Sequence, residues 1–257
     1  MNKDTLRQVL ALAALAVMLV VNVLANALPL NGLRTEAISD RFKVYFTPAG
    51  YVFAIWGVIY LGLLGYAVYQ AGSRQRYNPR LRSTGLLFML SCVANAAWIV
   101  SWHYLMFPLT LLMTVLLLLC LMGIYLRLRI GRSSPPLLER WTVDVPFSLY
   151  LGWATVATIA NATVLLDYLG WNGSGIAAER WLMIVLAVAL VIATAVTLTR
   201  DDWVFPAVFA WAFAGIGIKQ MGNAQVAAAA WVAAGYSLAL VMITLAGLTR
   251  RAASQAT

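Results

Sequence analysis

Apolar positions along this chain come in long unbroken blocks, without the alternation of a strand or the one-sided stripe of an amphipathic helix. Eight such blocks, approximately 6–28, 48–71, 84–104, 107–128, 143–166, 180–199, 203–219 and 225–248, predict eight helices that are apolar all round. Most approach the ~20 residues needed to cross a bilayer. The acidic residues fall between blocks or at their ends. Block 203–219 is the weakest: it is short, carries Pro206 and ends in Gly215-Ile216-Gly217. Its continuous apolar run favours a crossing over a re-entrant segment. Polar punctuation separates the blocks, with a basic turn over 71–82 and the helix breaker Ser133-Ser134-Pro135-Pro136. The fold class read from this pattern is an all-α polytopic membrane protein.

Composition agrees: 63% of the 257 residues are hydrophobic and 11% charged, against about 25% charged in soluble domains. The net charge of +9 does not indicate nucleic acid, because the basic residues sit in the connections and are explained by topology. One set of connections and ends takes 13 of them, from Lys3 and Arg7 to Arg250 and Arg251. The other takes five, Arg34, Arg41, Lys43, Arg180 and Lys219. The positive-inside rule then places both termini in the cytoplasm and the chain in the cell (inner) membrane. Lys3 and Arg7 before an apolar run ending in Ala25-Asn26-Ala27 also resemble a signal peptide. The run is longer than a signal sequence needs, and Asn22 and Asn26 share one face, so an uncleaved first helix is expected. Cys92 and Cys120 both lie in apolar blocks, which argues against a structural disulfide.

Candidate chemistry is sparse. Asn95 sits deep in block 84–104, followed by Trp98 and Trp102 at i+3 and i+7 on the same helix face. A polar amide in hydrocarbon is costly without a partner, so it faces either a neighbouring helix or a cavity. Phe53, Trp56 and Tyr60 form a similar stripe on the second block, and Trp153 and Asn161 share a face of the fifth. Aromatic stripes with one amide each on neighbouring helices suggest a shared ligand pocket. Tyr45, Tyr77, Trp141, Tyr168, Trp171, Trp181 and Trp203 stand at block ends and read as interfacial belt residues. The single histidine, His103, reads as an interfacial residue or, less readily, as a haem ligand. Asp144 reads as an anion at a helix start. Neither a catalytic set nor a metal or phosphate motif is present, which favours a binder over an enzyme. An ion pump would need an ionisable residue inside a block.

Thr47-Pro48-Ala49-Gly50-Tyr51-Val52-Phe53-Ala54-Ile55-Trp56-Gly57-Val58-Ile59-Tyr60 resembles the second-helix signature of the TspO/MBR family, which includes the tryptophan-rich sensory proteins and the mitochondrial translocator protein. Asn95-x-x-Trp98 is similar to its third-helix motif. Pro146, with Trp153-Ala154-Thr155 and Asn161, is similar to its fifth. Tyr51 stands where that family usually has Trp, Phe53 and Trp56 are one residue too close, and Pro146 lies about three residues too far from Trp153. The resemblance covers 1–168 and implies a five-helix bundle there. Residues 169–257 are expected to add three transmembrane helices packed on it.

The resemblance implies a homodimer and an intramembrane pocket for tetrapyrroles such as protoporphyrin IX, for sterols and for benzodiazepine-type drugs. Carried over, it implies Trp56, Tyr60, Asn95, Trp98, Trp153 and Asn161 as pocket residues. The stripes add Phe53 and Trp102. Arg34, Arg41 and Lys43 could meet porphyrin carboxylates. The expectation is a receptor or transporter-like binder of a flat hydrophobic ligand, most readily a porphyrin, with no obligatory cofactor and haem only as a possible ligand. Two alternatives stand beside it: an enzyme of light- or oxygen-dependent porphyrin breakdown, and a lipid or isoprenoid carrier.

Overall fold

The computed structural model describes residues 2–28 and 30–256, with side-chain surroundings through Thr249. The elements are α1 (Lys3–Ala27), a short α2 (Thr35–Ser39), a 3-10 turn (Gly50–Ala54) running into α3 (Ile55–Ala71), α4 (Pro79–His103) and α5 (Phe107–Leu128). A three-residue α6 (Leu137–Glu139) continues through a π turn (Arg140–Asp144) into α7 (Val145–Tyr168). Then come α8 (Ala178–Thr199), α9 (Val204–Lys219) and α10 (Ala224–Ala256). There is no strand among the described residues. Seven helical stretches are long and apolar enough to cross a membrane, and α9 is a shorter apolar helix. The protein is an all-α, multi-pass membrane protein.

Helix ends depart from the apolar blocks where polar side chains have partners. α4 begins at Pro79 rather than near 84. Asn78 caps it by accepting from the Arg80 amide (3.0 Å), and Pro79 occupies the first turn, where a missing N–H costs nothing. Its first-turn arginines are engaged, Arg82 with Asp4 (2.8 Å) and Arg80 with Asp144 (2.8 Å) and Glu139. α1 likewise starts at Lys3, capped by Asn2. The helix that was expected to begin at 143 is reached through helical turns from Leu137, because Glu139 and Asp144 are held by Arg80.

The bundle is assembled by neighbours in sequence and by one insertion. α4 packs on α1 and α5, α5 on α7, and α3 fits between α1 and α7. α9 packs on α7, α8 and α10. Its two ends lie at opposite ends of the bundle. At its N-terminus Asp202 caps it through the amides of Val204 and Phe205, and accepts from Tyr125 (2.8 Å) and Ser148 (2.5 Å). At its C-terminus Lys219 meets Asp40 (2.6 Å) and Thr47 (3.1 Å), between α1 and α3. Sixteen residues rise only about 24 Å, short of a ~30 Å hydrocarbon core. The helix tolerates this because it is buried in protein: Phe205, Phe209, Phe213 and Ile216 are at most 2% exposed.

A close approach fixes α9. A Cβ at Gly215 would sit 2.1 Å from Val52 Cγ2. The Gly215 carbonyl accepts from the Ala49 amide (3.1 Å), and the Trp211 indole donates to the Val52 carbonyl (3.1 Å). The turn that precedes α3 is thus moulded onto α9, and only glycine permits that contact.

Candidate functional site

Three helices bring the predicted stripes together. On α3, Trp56 stacks on Tyr60 (ring centroids 5.6 Å, planes 27° apart). It also stacks on Trp98 of α4 (5.3 Å, 30°), and Trp98 stacks on Trp102 (6.4 Å, 26°). The result is a ladder of four nearly parallel rings, Tyr60–Trp56–Trp98–Trp102. Trp153 of α7 meets Trp56 edge-on (6.1 Å, 90°), and Phe53 meets Trp153 in the same way (6.2 Å, 85°). Such edge-to-face pairs suit the ring quadrupole and lock the rings in place.

Phe53, Trp56, Trp98, Trp102, Trp153 and Asn161 line one cleft, closed on other sides by Ser39, Thr47, Pro48 and small residues of α7. Asn161 accepts from the Trp98 indole (3.4 Å) and donates to the Ala157 carbonyl (2.8 Å). The Trp153 indole N–H is buried and has no hydrogen-bond acceptor, an uncompensated cost for a polar group in an apolar interior. The cleft encloses only about 40 Å³.

Tyr60 and Asn95 are placed one layer behind the cleft. Asn95 is fully buried. Its Nδ2 donates to the Tyr150 hydroxyl (2.9 Å), and its Oδ1 accepts from Asn22 Nδ2 (2.7 Å). Tyr60 donates to Asn22 Oδ1 (2.7 Å), and Asn22 Nδ2 also reaches the Met18 carbonyl (2.9 Å). This polar node ties α1, α3, α4 and α7 together. Every amide function is used within it, so Asn95 acts here as an interhelical tie behind the ring ladder. Asn22 and Tyr150 were not among the candidates. The inward pair Asn22 and Asn26 was one signal for the first. Tyr150, three residues before Trp153 on the same helix face, carried the other.

His103 is fully buried among protein groups, so it is not an exposed belt residue. Its Nδ1 faces the Leu30 carbonyl (3.1 Å), which can only accept, and its Nε2 faces the Thr35 hydroxyl (3.1 Å). Neither ring nitrogen is left free to ligate an iron, so the weak reading of His103 as a haem ligand does not fit this arrangement. The histidine instead fastens the connection after α1 to the end of α4. Trp102 does the same by donating to the Thr35 carbonyl (3.1 Å). With Ser39 in the cleft wall, α2 forms a cap over the ring ladder. The three loop cations do not reach the cleft: Arg34, Arg41 and Lys43 are exposed and none lines it.

The opposite end of the bundle holds a second polar cluster that the sequence did not disclose. Glu139, Asp144 and Asp202 are all buried. Arg80 bridges the first two and donates to the Leu128 carbonyl (2.7 Å). Tyr69 and Asn78 also donate to Glu139 (2.8 and 3.0 Å), and Arg200 lies over the Tyr125 ring (5.0 Å). Asp144 is therefore an ion-pair partner of Arg80. Among the described residues no group of three or more histidines, cysteines or acids could hold a metal ion, and both cysteines are free and buried.

No curated protein and no solved structure matches the chain. A family model does: the one described as TSPO-like protein matches residues 8–244, running from the first turns of α1 into α10 and through the helices that follow residue 168. The ladder-lined cleft, the polar node behind it and the helices around α9 thus all lie within the matched span, and the chain belongs to the TSPO-like protein family.

Proposed function

We propose that this protein is a non-catalytic membrane binder of a flat hydrophobic ligand, with a tetrapyrrole such as protoporphyrin IX as the favoured class. The observation that carries this reading is the ladder of parallel rings from α3 and α4 with Trp153 edge-on beside it. Stacked indoles offer a planar ligand large contact faces, and the unpaired Trp153 N–H offers it one donor. Family membership supports the same class of function. Ligand sites usually enclose about 300–1,000 Å³, so the cleft of about 40 Å³ must open to admit a macrocycle. Short α2 is the element that can yield: the hydrogen bonds that fasten it to α4 come from Trp102 and His103 to Thr35, whereas the segment before α3 is anchored on α9. Binding and cap displacement are then one event.

The test is titration of the purified chain with protoporphyrin IX, followed by quenching of tryptophan fluorescence, with a thermal melt of each variant. The expected result is saturable quenching and a loss of about 1–3 kcal/mol of binding in Trp98→Ala, the scale of a buried aromatic contact. Quenching that never saturates, or a Trp98→Ala variant that folds and binds as well as the parent, overturns the proposal.

A further inference from the structure

A larger concavity lies away from the cleft. α8 packs on α9 and α10 rather than along α7, and the gap this leaves between α7 and α8 encloses about 490 Å³. Its walls run from Ile159 to Asp167 on α7 and from Ala178 to Val188 on α8. Ten residues of helix rise about 15 Å, half of a ~30 Å hydrocarbon core. The groove is therefore one leaflet deep. Its deep part is apolar, with Ile159, Leu182, Val185 and Val188 facing it.

Its mouth differs in chemistry. Trp171 and Trp181 stand there in ring contact (4.9 Å), and Trp181 is held by donating to the Gly173 carbonyl (2.8 Å). Tryptophans at this depth mark the headgroup level of a membrane. Lys43 and Asp167, both exposed, rim the same mouth. They form no ion pair with each other. One cation and one anion beside an apolar slot complement a zwitterionic headgroup above an acyl chain.

We propose that this groove holds one acyl chain of a zwitterionic glycerophospholipid from the adjoining leaflet, with its phosphate on Lys43 and its amine towards Asp167. A bare anion would lack the apolar contact, and a diacylglycerol would leave Lys43 unused. The site is separate from the ring-lined cleft and does not depend on the function proposed for it.

The experiment uses the full chain in nanodiscs of dioleoylphosphatidylcholine doped with a phosphatidylethanolamine whose acyl chain carries a photoactivatable diazirine. After illumination the labelled peptides are mapped by mass spectrometry. Label concentrated in 159–167 and 178–188 is the expected result, and label spread evenly over the lipid-facing leucines of α3 and α5 overturns the proposal. The contribution of the headgroup is read by native mass spectrometry of the detergent-purified chain with added phosphatidylethanolamine or diacylglycerol. Lys43→Gln should lower retention of the phospholipid about fivefold, the scale of one interfacial lysine on a phosphate, and leave diacylglycerol unchanged. Val185→Trp, which fills the slot, should abolish the focused label. Equal labelling in a Val185→Trp chain that melts like the parent also refutes the site. Should that variant not fold, the label map of the parent decides alone. Trp98→Ala should leave the label map as it is, so failure here and failure of the cleft reading are told apart.

Discussion

At the scale of single residues, the cleft divides into side chains that face it and side chains that hold those in place. Asn95 was legible as an unusual residue because an amide in hydrocarbon needs a partner. What its partners are could not be read from spacing, since Asn22 lies 73 positions away on α1 and Tyr150 lies 55 positions away on α7. The geometry makes a definite prediction. Asn95→Ala strands the Tyr150 hydroxyl and one function of the Asn22 amide in the interior, and a buried unsatisfied group costs about 1–3 kcal/mol. The variant should lower the midpoint of a thermal or denaturant melt by that amount, while the molecules that remain folded keep their ligand affinity. Trp98→Ala should lower both affinity and stability, because the ring faces the cleft and also packs between Trp56 and Trp102. If Asn95→Ala melts like the parent, the node is not a structural tie.

The carboxylates at the other end carry the same lesson. Glu139 and Asp144 both precede α7, whereas Asp202 precedes α9, and each alone looks like a polar helix end. Burial against Arg80 and Tyr125 turns them into a cluster, and no local pattern encodes that. Arg80→Met should be strongly destabilising, by about 3–5 kcal/mol, because it leaves Glu139 and Asp144 as buried anions without their cation. Arg80→Lys should recover only part of the loss, since an ammonium cannot hold both carboxylates and the Leu128 carbonyl with a planar fork. A melt of Arg80→Met equal to that of the parent would mean that water already screens these carboxylates.

At the scale of elements, the eight apolar blocks mapped onto seven long helices and the shorter α9, because continuous apolarity survives any tertiary context inside a membrane. Their ends did not follow, because Asn78-Pro79 and the paired arginines extend α4 past the apolar edge. α2 had no apolar signature at all. It is five residues long and is held by His103 and Trp102 rather than by its own propensity. α9 is where sequence gave least guidance on packing, and Gly215 explains why. The glycine reads locally as a helix weakener, yet a Cβ there would come within 2.1 Å of Val52 Cγ2, which makes it the point at which α9 meets the turn before α3. Gly215→Ala should cost about 1–3 kcal/mol of stability, as overpacking does, despite the better helix propensity of alanine. Val52→Ala in the same chain should restore most of that loss. If the double variant is no more stable than Gly215→Ala, the strain does not lie at this contact.

For the whole molecule, the decisive element is again α9, because the parity of the crossings rests on it. Its N-terminal cap shares Asp202 with Tyr125 and Ser148, and its C-terminal Lys219 reaches Asp40 and Thr47 at the other end. The start of α1 also sits at the Asp202 end, through Asp4 with Arg82 and Gln8 with the Gln70 carbonyl (2.6 Å). An even number of passages then returns α10 to the side on which α1 begins. The basic residues concentrate on that side, and the positive-inside rule predicts that it faces the cytoplasm. Reporter fusions give a direct measurement. Fusions after Ser73, after Arg200 and after Thr257 should all read cytoplasmic, and one after Lys219 should read from the other face. The last of these is the sensitive one, because 16 residues are too few to cross unaided. The surrounding helices, not lipid, cover its backbone and side chains, which is what a crossing by so short a helix requires. A cytoplasmic reading after Lys219 would make α9 re-entrant and place Arg250 and Arg251 outside, against the charge bias.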